Sequence, residues 1–279
     1  MSLEIDSIHP TYHSFNTKEI LLNTIRLYWD NISLFFAISM LGTLPSFLSI
    51  YYSESPLLRI LRIVDLLVGL LANAALIIAA SKRHRNETIT ITECFISIKR
   101  KYWRFVGVFF IVGLTMLLGS LVFIIPGIYL GVIFCLSDIA VIIEEREETG
   151  VFKLSKELIR GFFWKTLWFL VIIGSPHMIS FFFLTTSFPA LALTWLDPEQ
   201  ERILFTIFYA VFIPFFIVGR VLLYHKLKEI KAVELSKNPD ALIKSPYGCL
   251  FAIGLVIGVY LLGTLWASIF HFLKQNKFF

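Results

Sequence analysis

One stretch decides how this chain is organised: IIPGIYLGVIFCLSDIAVIIEEREETGVFKLSKELIRGFFWKTLWFL, residues 124–170. It begins with Pro126-Gly127, a pair that breaks regular structure, and continues as an apolar run to Ile143. Acidic residues follow, then an amphipathic segment at residues 151–163, then a second apolar run. This order predicts a membrane hairpin, a short aqueous loop, a helix on the membrane surface and a return into the bilayer.

The composition extends this interpretation to the whole chain. Of its 279 residues, 57% are hydrophobic and 16% are charged, whereas soluble domains contain about 45–50% apolar and about 25% charged residues. The apolar residues are concentrated in runs of about 20, the length that crosses a hydrocarbon core of roughly 30 Å. The sequence therefore predicts an all-α, polytopic helix bundle in a cell membrane, most simply the cytoplasmic membrane of a bacterium.

Seven apolar segments divide the chain into regions. A polar tail (residues 1–15) precedes a six-helix membrane domain (16–235), and a linker (236–246) leads to an additional spanning helix with a short tail (247–279). The spans of the six-helix domain are predicted at residues 32–52, 60–81, 105–125, 128–143, 166–193 and 203–225.

Three amphipathic segments precede the first, third and fifth spans. Each ends at a tryptophan followed by a polar residue, and these tryptophans are Trp29, Trp103 and Trp164. We interpret them as interfacial anchors, because the indole ring is apolar while its N–H can stay hydrated. The pattern predicts a threefold repeat of one cytosolic surface helix plus one hairpin. The alternative is that any helix re-entering a membrane acquires such a pattern.

The charge distribution predicts the orientation and the partners. The formal net charge is +5, and the basic residues are concentrated before the first span and in alternate loops after it. By the positive-inside rule, the N terminus is cytosolic, and seven spans place the C terminus outside. Because no nucleic-acid-binding motif accompanies the charge, we expect no nucleic-acid partner. The expected partners are membrane lipids, chiefly anionic ones, and a membrane protein.

Part of the central stretch resembles a known family. The residues that carry the resemblance are residues 125–130, Glu144-Glu145 and the run 150–161, and its family-like positions are Pro126, Gly127, Glu144, Ser155 and Gly161. They resemble the membrane domain of glycerophosphoryl diester phosphodiesterases and of related uncharacterised bacterial six-helix membrane proteins. The match covers about residues 120–170, and the architecture alone is similar over residues 16–230. The resemblance implies a membrane domain of undefined activity, because the phosphodiesterase chemistry belongs to a separate soluble barrel that does not fit into these residues.

The residues themselves give little sign of catalysis. The acidic cluster at residues 144–148 could bind a divalent cation through carboxylate oxygens, or it could be a hydrated helix end. Metalloprotease, serine-hydrolase and phosphate-loop motifs are absent from the sequence. The sequence therefore predicts no enzyme activity, no catalytic residue, no metal and no cofactor.

Polar residues inside the apolar spans are more informative, because an unpaired polar group in hydrocarbon is costly. They are Asp65, Asn73, Asp138, His177 and Arg220. Asp138 and Arg220 each precede a charged span end by six residues, which is about 9 Å along a helix. An ion pair between the fourth and sixth spans is the simplest interpretation; a functional relay and two unrelated snorkelling groups are the alternatives. His177 follows Pro176, so it either bonds a carbonyl freed by the proline or transfers protons.

Two functional hypotheses follow. The first is a non-enzymatic integral membrane protein that contacts lipids or a membrane complex through a basic, amphipathic cytosolic face. The second is a transporter in which Asp138, Arg220 and His177 line a path. A polar cavity reaching the middle of the bundle would favour transport.

Overall fold

The protein is helical throughout the residues that the structure describes. The structure, a computed structural model, describes residues 15–51, 58–122, 124–144, 148–185 and 198–237. Its helices are α1 (Thr17–Asp30), α2 (Ile32–Tyr51), α3 (Leu58–His84), α4 (Ile91–Ile98), α5 (Tyr102–Val122), α6 (Ile124–Phe134), α7 (Ser137–Ile143), α8 (Glu148–Ile159), α9 (Phe163–Thr185) and α10 (Pro198–Lys237). The predicted all-α class is confirmed for this part of the chain.

Several helices are long and apolar enough to cross a membrane. Within the described residues there are five such segments: Ile32–Ile50, Arg59–His84, Tyr102–Leu121, Ile125–Ile143 and Arg202–Val233. The pair formed by α8 and α9 would be a sixth if it counts as one bent span. A multi-pass membrane protein agrees with this finding. The predicted seventh span, residues 238–246 of the linker, residues 1–14 of the predicted tail and residues 186–193 of the fifth span lie outside the described residues. Residues 236–237 of the predicted linker belong to α10 instead.

The predicted break at Pro126-Gly127 is wrong in position. The helix α5 ends at Val122 and α6 begins at Ile124, so both residues lie inside the first turn of α6. Proline is tolerated there because its missing N–H has no intrahelical partner in that turn. The fourth span, predicted as continuous over residues 128–143, is instead interrupted at Cys135-Leu136, between α6 and α7.

Side chains cap two of the short helices. The Asn16 side chain accepts hydrogen bonds from the backbone N–H groups of Lys18 (3.1 Å) and Glu19 (3.4 Å) at the start of α1. At α4, Thr90 and Glu93 form a reciprocal capping box, as their spacing in the sequence predicts. The hydrogen bond from the Thr90 backbone holds the pKa of Glu93 below its usual range, so the box is complete when Glu93 is ionised.

The second and third tryptophans lie one helix later than predicted. The segment 92–104 is not one helix, because α4 ends at Ile98 and Trp103 is the second residue of α5. In the same way α8 ends at Ile159, and Trp164 is the second residue of α9. Matching backbone bonds close the two turns: Lys101 N–H donates to the Ile98 carbonyl (2.7 Å) and Phe162 N–H to that of Ile159 (2.8 Å). The α8–α9 bend is 98°.

The first amphipathic helix differs from the other two. It continues without a turn to Asp30, so the three predicted repeat units do not share one geometry. Glu19 pairs with Lys226 (3.8 Å), whereas Tyr28 donates to the Val211 carbonyl (2.9 Å). Since partner numbers fall as α1 advances, α1 runs antiparallel alongside α10. Its predicted orientation relative to a membrane stays a prediction.

Packing divides the bundle into two halves, which we call the near half and the far half. The helices α3 and α10 run in the same direction, because Asn73 contacts Tyr209 and Ser81 contacts His225. The far half contains the first parts of both helices, residues 58–73 of α3 and residues 198–214 of α10. Exposed apolar side chains dominate there: Ile60, Ile63, Val64, Leu66, Ile207 and Phe208. The near half contains the second parts of these two helices, residues 74–84 of α3 and residues 215–237 of α10, together with α4, α7 and α8. Most apolar residues of the near half are fully buried. The near half is therefore packed like a globular core, whereas the far half presents apolar surface outward.

Candidate functional sites

A break in the fourth span exposes backbone groups inside the near half, and Ser155 satisfies two of them. Its hydroxyl donates to the Ile133 carbonyl (2.6 Å) and accepts from the Leu136 N–H (3.3 Å). Ser155 lies on α8 and is fully buried. This family-like residue therefore joins the surface helix α8 to the break between α6 and α7, where continuous helix bonding is lost.

Arg220 of α10 satisfies a third backbone group of the same break. Its Nε donates to the Cys135 carbonyl (3.1 Å), and its Nη2 bonds both that carbonyl and the Asp138 carboxylate. The structure thus brings Asp138 and Arg220 together, as the equal depths computed from the sequence predict. Both side chains are largely buried, at 15% and 13% exposure. Asp138 also accepts from the Ile139 N–H (3.0 Å), in the first turn of α7.

A second polar tie lies one to two turns further along α10. The Glu144 carboxylate, at the end of α7, accepts from the Tyr224 hydroxyl (2.7 Å) and pairs with Lys228. Arg220, Tyr224 and Lys228 follow each other at intervals of four residues, so they share one face of α10. Lys101 donates to the Ile142 carbonyl (2.9 Å) and so caps the end of α7. These contacts form a polar layer that fixes α7 at both ends: Arg220 binds its start, and Tyr224, Lys228 and Lys101 bind its end.

His177 does not belong to this polar layer. Its ring packs edge-on against Tyr209 of α10, with 5.5 Å between ring centroids. Tyr209 precedes Arg220 by 11 residues, about 16 Å along the helix axis. The residues predicted to line one transport path therefore lie at two different levels of the bundle.

The three tryptophans are exposed, but they do not lie at one level of the bundle. Their exposed fractions are 63% (Trp29), 72% (Trp103) and 68% (Trp164). Their neighbours Tyr28 and Tyr102 donate to backbone carbonyls in the middle of α10 and α3, at Val211 and Leu67. Trp29 thus lies near the middle of α10, whereas Trp164 follows Phe162, whose ring lies 5.5 Å from the Lys231 ammonium near the end of α10.

A cavity with several polar groups in its wall lies in the far half, between α2, α3, α5 and α10. Its volume is about 310 Å³. Its polar lining consists of Thr43, Ser46, Asp65, Asn73, Thr206 and Tyr209. Its aromatic lining comes from Phe109, Phe205 and Tyr209. None of the residues predicted to line a transport path contributes to it, although the His177 ring touches the back of Tyr209.

Asp65 is the one charged group among the lining residues. It accepts a hydrogen bond from the Ser46 hydroxyl (2.6 Å), and Asn73 hydrogen-bonds Tyr209. Within the described part of the chain, no lysine, arginine or histidine lies within 4.0 Å of Asp65. The cavity therefore combines a carboxylate without a basic partner, neutral hydroxyl and amide groups, and aromatic rings.

Metal binding finds no support in the ranges that the structure covers. No group of three His, Cys, Asp or Glu side chains there is arranged to hold a metal ion. Residues 145–147 of the acidic cluster lie outside those ranges, while Glu144 is engaged with Tyr224 and Lys228.

Comparisons with known proteins leave the family undecided. No protein-family model matches the chain, and no curated protein or solved structure matches it significantly. The resemblance to the phosphodiesterase membrane domain stays a hypothesis that rests on the residues quoted for it, and the fold and sites described above are the basis for any function assigned to this chain.

Proposed function

We propose that the protein is a non-enzymatic, multi-pass integral membrane protein whose near half binds anionic lipid headgroups. The observation that carries the proposal is the contrast between the far half, which turns apolar side chains outward, and the near half, which buries its apolar side chains and carries exposed basic residues. Outward apolar side chains favour hydrocarbon and basic side chains favour headgroups, so this arrangement would place the far half in hydrocarbon and the near half among headgroups and water.

Charge supports anionic rather than zwitterionic lipid. Exposed basic side chains surround the tryptophans on α1, α5, α8, α9 and the turn before α5: Arg26, Lys99, Arg100, Arg104, Lys153, Lys156 and Lys165. Each basic group near an anionic surface contributes about 1 kcal/mol of attraction. Several such groups on one surface give a summed attraction that a zwitterionic headgroup would not provide.

Thermal unfolding in detergent tests this proposal. Phosphatidylglycerol should raise the midpoint more than phosphatidylcholine at equal concentration, because it binds the folded protein more strongly. The variant Lys99→Gln/Arg100→Gln/Lys153→Gln/Lys156→Gln should lose most of the difference. Arg59→Gln/Arg62→Gln/Arg202→Gln is the control, because these exposed basic residues lie in the far half. Equal stabilisation by both lipids, or equal loss in the control, would refute headgroup binding by the near half.

The cavity favours transport as a second candidate function, on residues other than those first predicted. The far-half cavity offers a transported solute a place to bind beside polar groups, whereas Asp138 and Arg220 are engaged in tying α7 to α10. We therefore place the candidate path at Asp65 and Asn73. In proteoliposomes, Asp65→Asn should abolish solute flux; flux that persists in this variant would exclude such a path.

A further inference from the structure

We infer that the far-half cavity is a binding site for a compact organic cation of the quaternary ammonium class. The inference concerns occupancy of the cavity, so it is independent of headgroup binding by the near half. It also leaves open whether the bound cation crosses the membrane.

The charge of the cavity points to a cation. Asp65 lies on a helix that is apolar enough to span a membrane, and a carboxylate in such a segment is costly unless a positive group compensates it. The hydroxyl of Ser46 donates to it but brings no charge. The far-half side chains that face Asp65 across the cavity, on α2, α5 and α10, are all neutral. A ligand can supply the missing positive charge.

The shape and the rings point to an organic cation. About 310 Å³ is far more space than a bare metal ion occupies, and it is at the lower end for small-molecule sites. Phe205 and Tyr209 lie close together on α10, with 6.5 Å between ring centroids, and Phe109 contributes from α5. Aromatic faces attract quaternary ammonium groups, whereas inorganic cations prefer several charged oxygen ligands. The hydroxyl and amide oxygens of the cavity can accept a hydrogen bond from a hydroxyl group on the ligand.

The probe is choline, titrated into the full chain in a maltoside detergent, with binding measured by calorimetry. We expect choline to bind saturably in a buffer that contains sodium chloride, and we expect sodium chloride titrated alone to give no binding heat. The neutral isostere 3,3-dimethylbutan-1-ol, which has the same shape without the charge, should bind at least about tenfold more weakly, a difference of about 1.4 kcal/mol. The variant Asp65→Asn should show a similar loss for choline, because it keeps an acceptor for Ser46 while removing the charge.

A filled cavity tests the location independently of charge. Gly69 lines the cavity, and a Cβ built on it meets nothing within 4 Å. Gly69→Leu should therefore fold and abolish choline binding by occupying the space. Gly113→Leu is the matched control, since Gly113 on α5 is equally open and does not line the cavity.

Each contrary result overturns the inference in a distinct way. Equal binding of the neutral alcohol would make the site a merely apolar pocket, and competition by sodium would make it an inorganic cation site. Unchanged binding in Asp65→Asn or Gly69→Leu would place the ligand elsewhere. Absence of choline binding to the folded wild-type chain would leave the cavity without the proposed ligand class.

Discussion

At Arg220 one side chain serves two acceptors of the same helix break, the Cys135 carbonyl and the Asp138 carboxylate. A planar guanidinium can do this because its donors diverge from one fixed fork. Phe216, one turn earlier, stacks near the guanidinium at 5.5 Å and covers it. The pair is thus part of a backbone repair, and its loss would leave both a charge and a carbonyl without partners.

Single removals of this pair should be strongly destabilising. We expect Asp138→Ala or Arg220→Ala to lower the free energy of unfolding in detergent by about 3–5 kcal/mol, because each leaves a buried charge unpaired. The double change Asp138→Leu/Arg220→Leu should recover only part of this, since the Cys135 carbonyl still lacks its donor. The exposed pair of Arg85 and Glu87 (3.2 Å) is the control, and Glu87→Ala should cost no more than about 1 kcal/mol. Additive single effects in the double variant would argue against the pair.

Two buried serines offer a sharper comparison. Ser155 bridges the break, whereas the Ser137 hydroxyl is buried and has no hydrogen-bond partner among the described residues. Ser155→Ala should cost about 1–3 kcal/mol of unfolding free energy, because a buried carbonyl and an N–H lose their partner. Ser137→Ala should be neutral or stabilising. Similar effects of the two substitutions would contradict the bridging role.

The sequence predicts some of these contacts and not others, for physical reasons. Asp138 and Arg220 could be matched because hydrocarbon penalises charge, so depth alone limits their partners. The break at Cys135-Leu136 has no proline or glycine within it, so local sequence carries no signal for it. The bridge by Ser155 depends on how α8 folds back over the break, and sequence spacing does not contain that information.

At the scale of elements, the hairpin of α5 and α6 depends on a close backbone approach at Gly127. A Cβ on Gly127 would lie 3.0 Å from the backbone nitrogen and 3.1 Å from the Cα of Ser120, tighter than most Cβ contacts, and it would collide with the Ser120 hydroxyl. Its neighbour Gly119 approaches Gly127 from the opposite helix, with its Cβ position 3.1 Å from the Gly127 Cα. Small residues let membrane helices approach closely and gain packing contacts. The family-like glycine therefore has a local physical role.

Substitution at Gly127 should separate the two helices. Gly127→Ala should destabilise the protein by about 1–3 kcal/mol, because the added methyl meets backbone atoms. Gly131→Ala is the control: its Cβ would meet the terminal methyl of Met116 at 2.7 Å, and that flexible end can move. Thermal unfolding midpoints in detergent would compare the two variants, and a larger loss at Gly131 would contradict the packing argument.

The turn between α8 and α9 requires a different property of glycine. Gly161 has a φ of +87°, which side chains of L-residues rarely adopt. Gly161→Ala should therefore cost about 1–2 kcal/mol through backbone strain alone. Gly113→Ala is matched, because both positions are open around Cβ, but it lies within α5 and should stabilise by up to about 1 kcal/mol. Chemical unfolding of both variants would measure the difference, and effects of the same sign would exclude strain as the cause.

At the scale of the whole molecule, the contrast between the tightly packed near half and the outward-facing far half was not predicted. Hydropathy treats α3 and α10 as uniform apolar spans, yet buried and exposed residues are segregated along each of them. Asp65 and Asn73 could be identified as unusual polar residues within a span. Their assembly with Ser46 and Tyr209 into one cavity depends on three different helices, which no pattern in the sequence relates.

Orientation remains a prediction that labelling can test. Because α3 and α10 run in the same direction, Asn86 after α3 and Glu199 at the start of α10 should lie on opposite sides of the membrane. An impermeant maleimide should label Glu199→Cys in intact cells and should label Asn86→Cys only after lysis. Cys94 adds little background because it is buried and burial raises its pKa to about 11. Cys135 and Cys249 are replaced by serine in both variants. Labelling of Asn86→Cys in intact cells would reverse the assigned orientation.

The helix α10 has a mechanical consequence for the two halves. It is one helix of 40 residues. Phe205, Thr206 and Tyr209 form part of the cavity wall, and Arg220 and Lys228 form ion pairs with residues of α7 and its end. A helix that is fixed at one end moves as one body unless its backbone bonding is interrupted. Pro214 lies between the cavity wall and the ion pairs, and its ring removes one backbone hydrogen bond from the helix. A widening of the cavity that leaves these ion pairs intact would therefore bend α10 at Pro214. The hydrogen bond from Tyr28 to the Val211 carbonyl would oppose that movement.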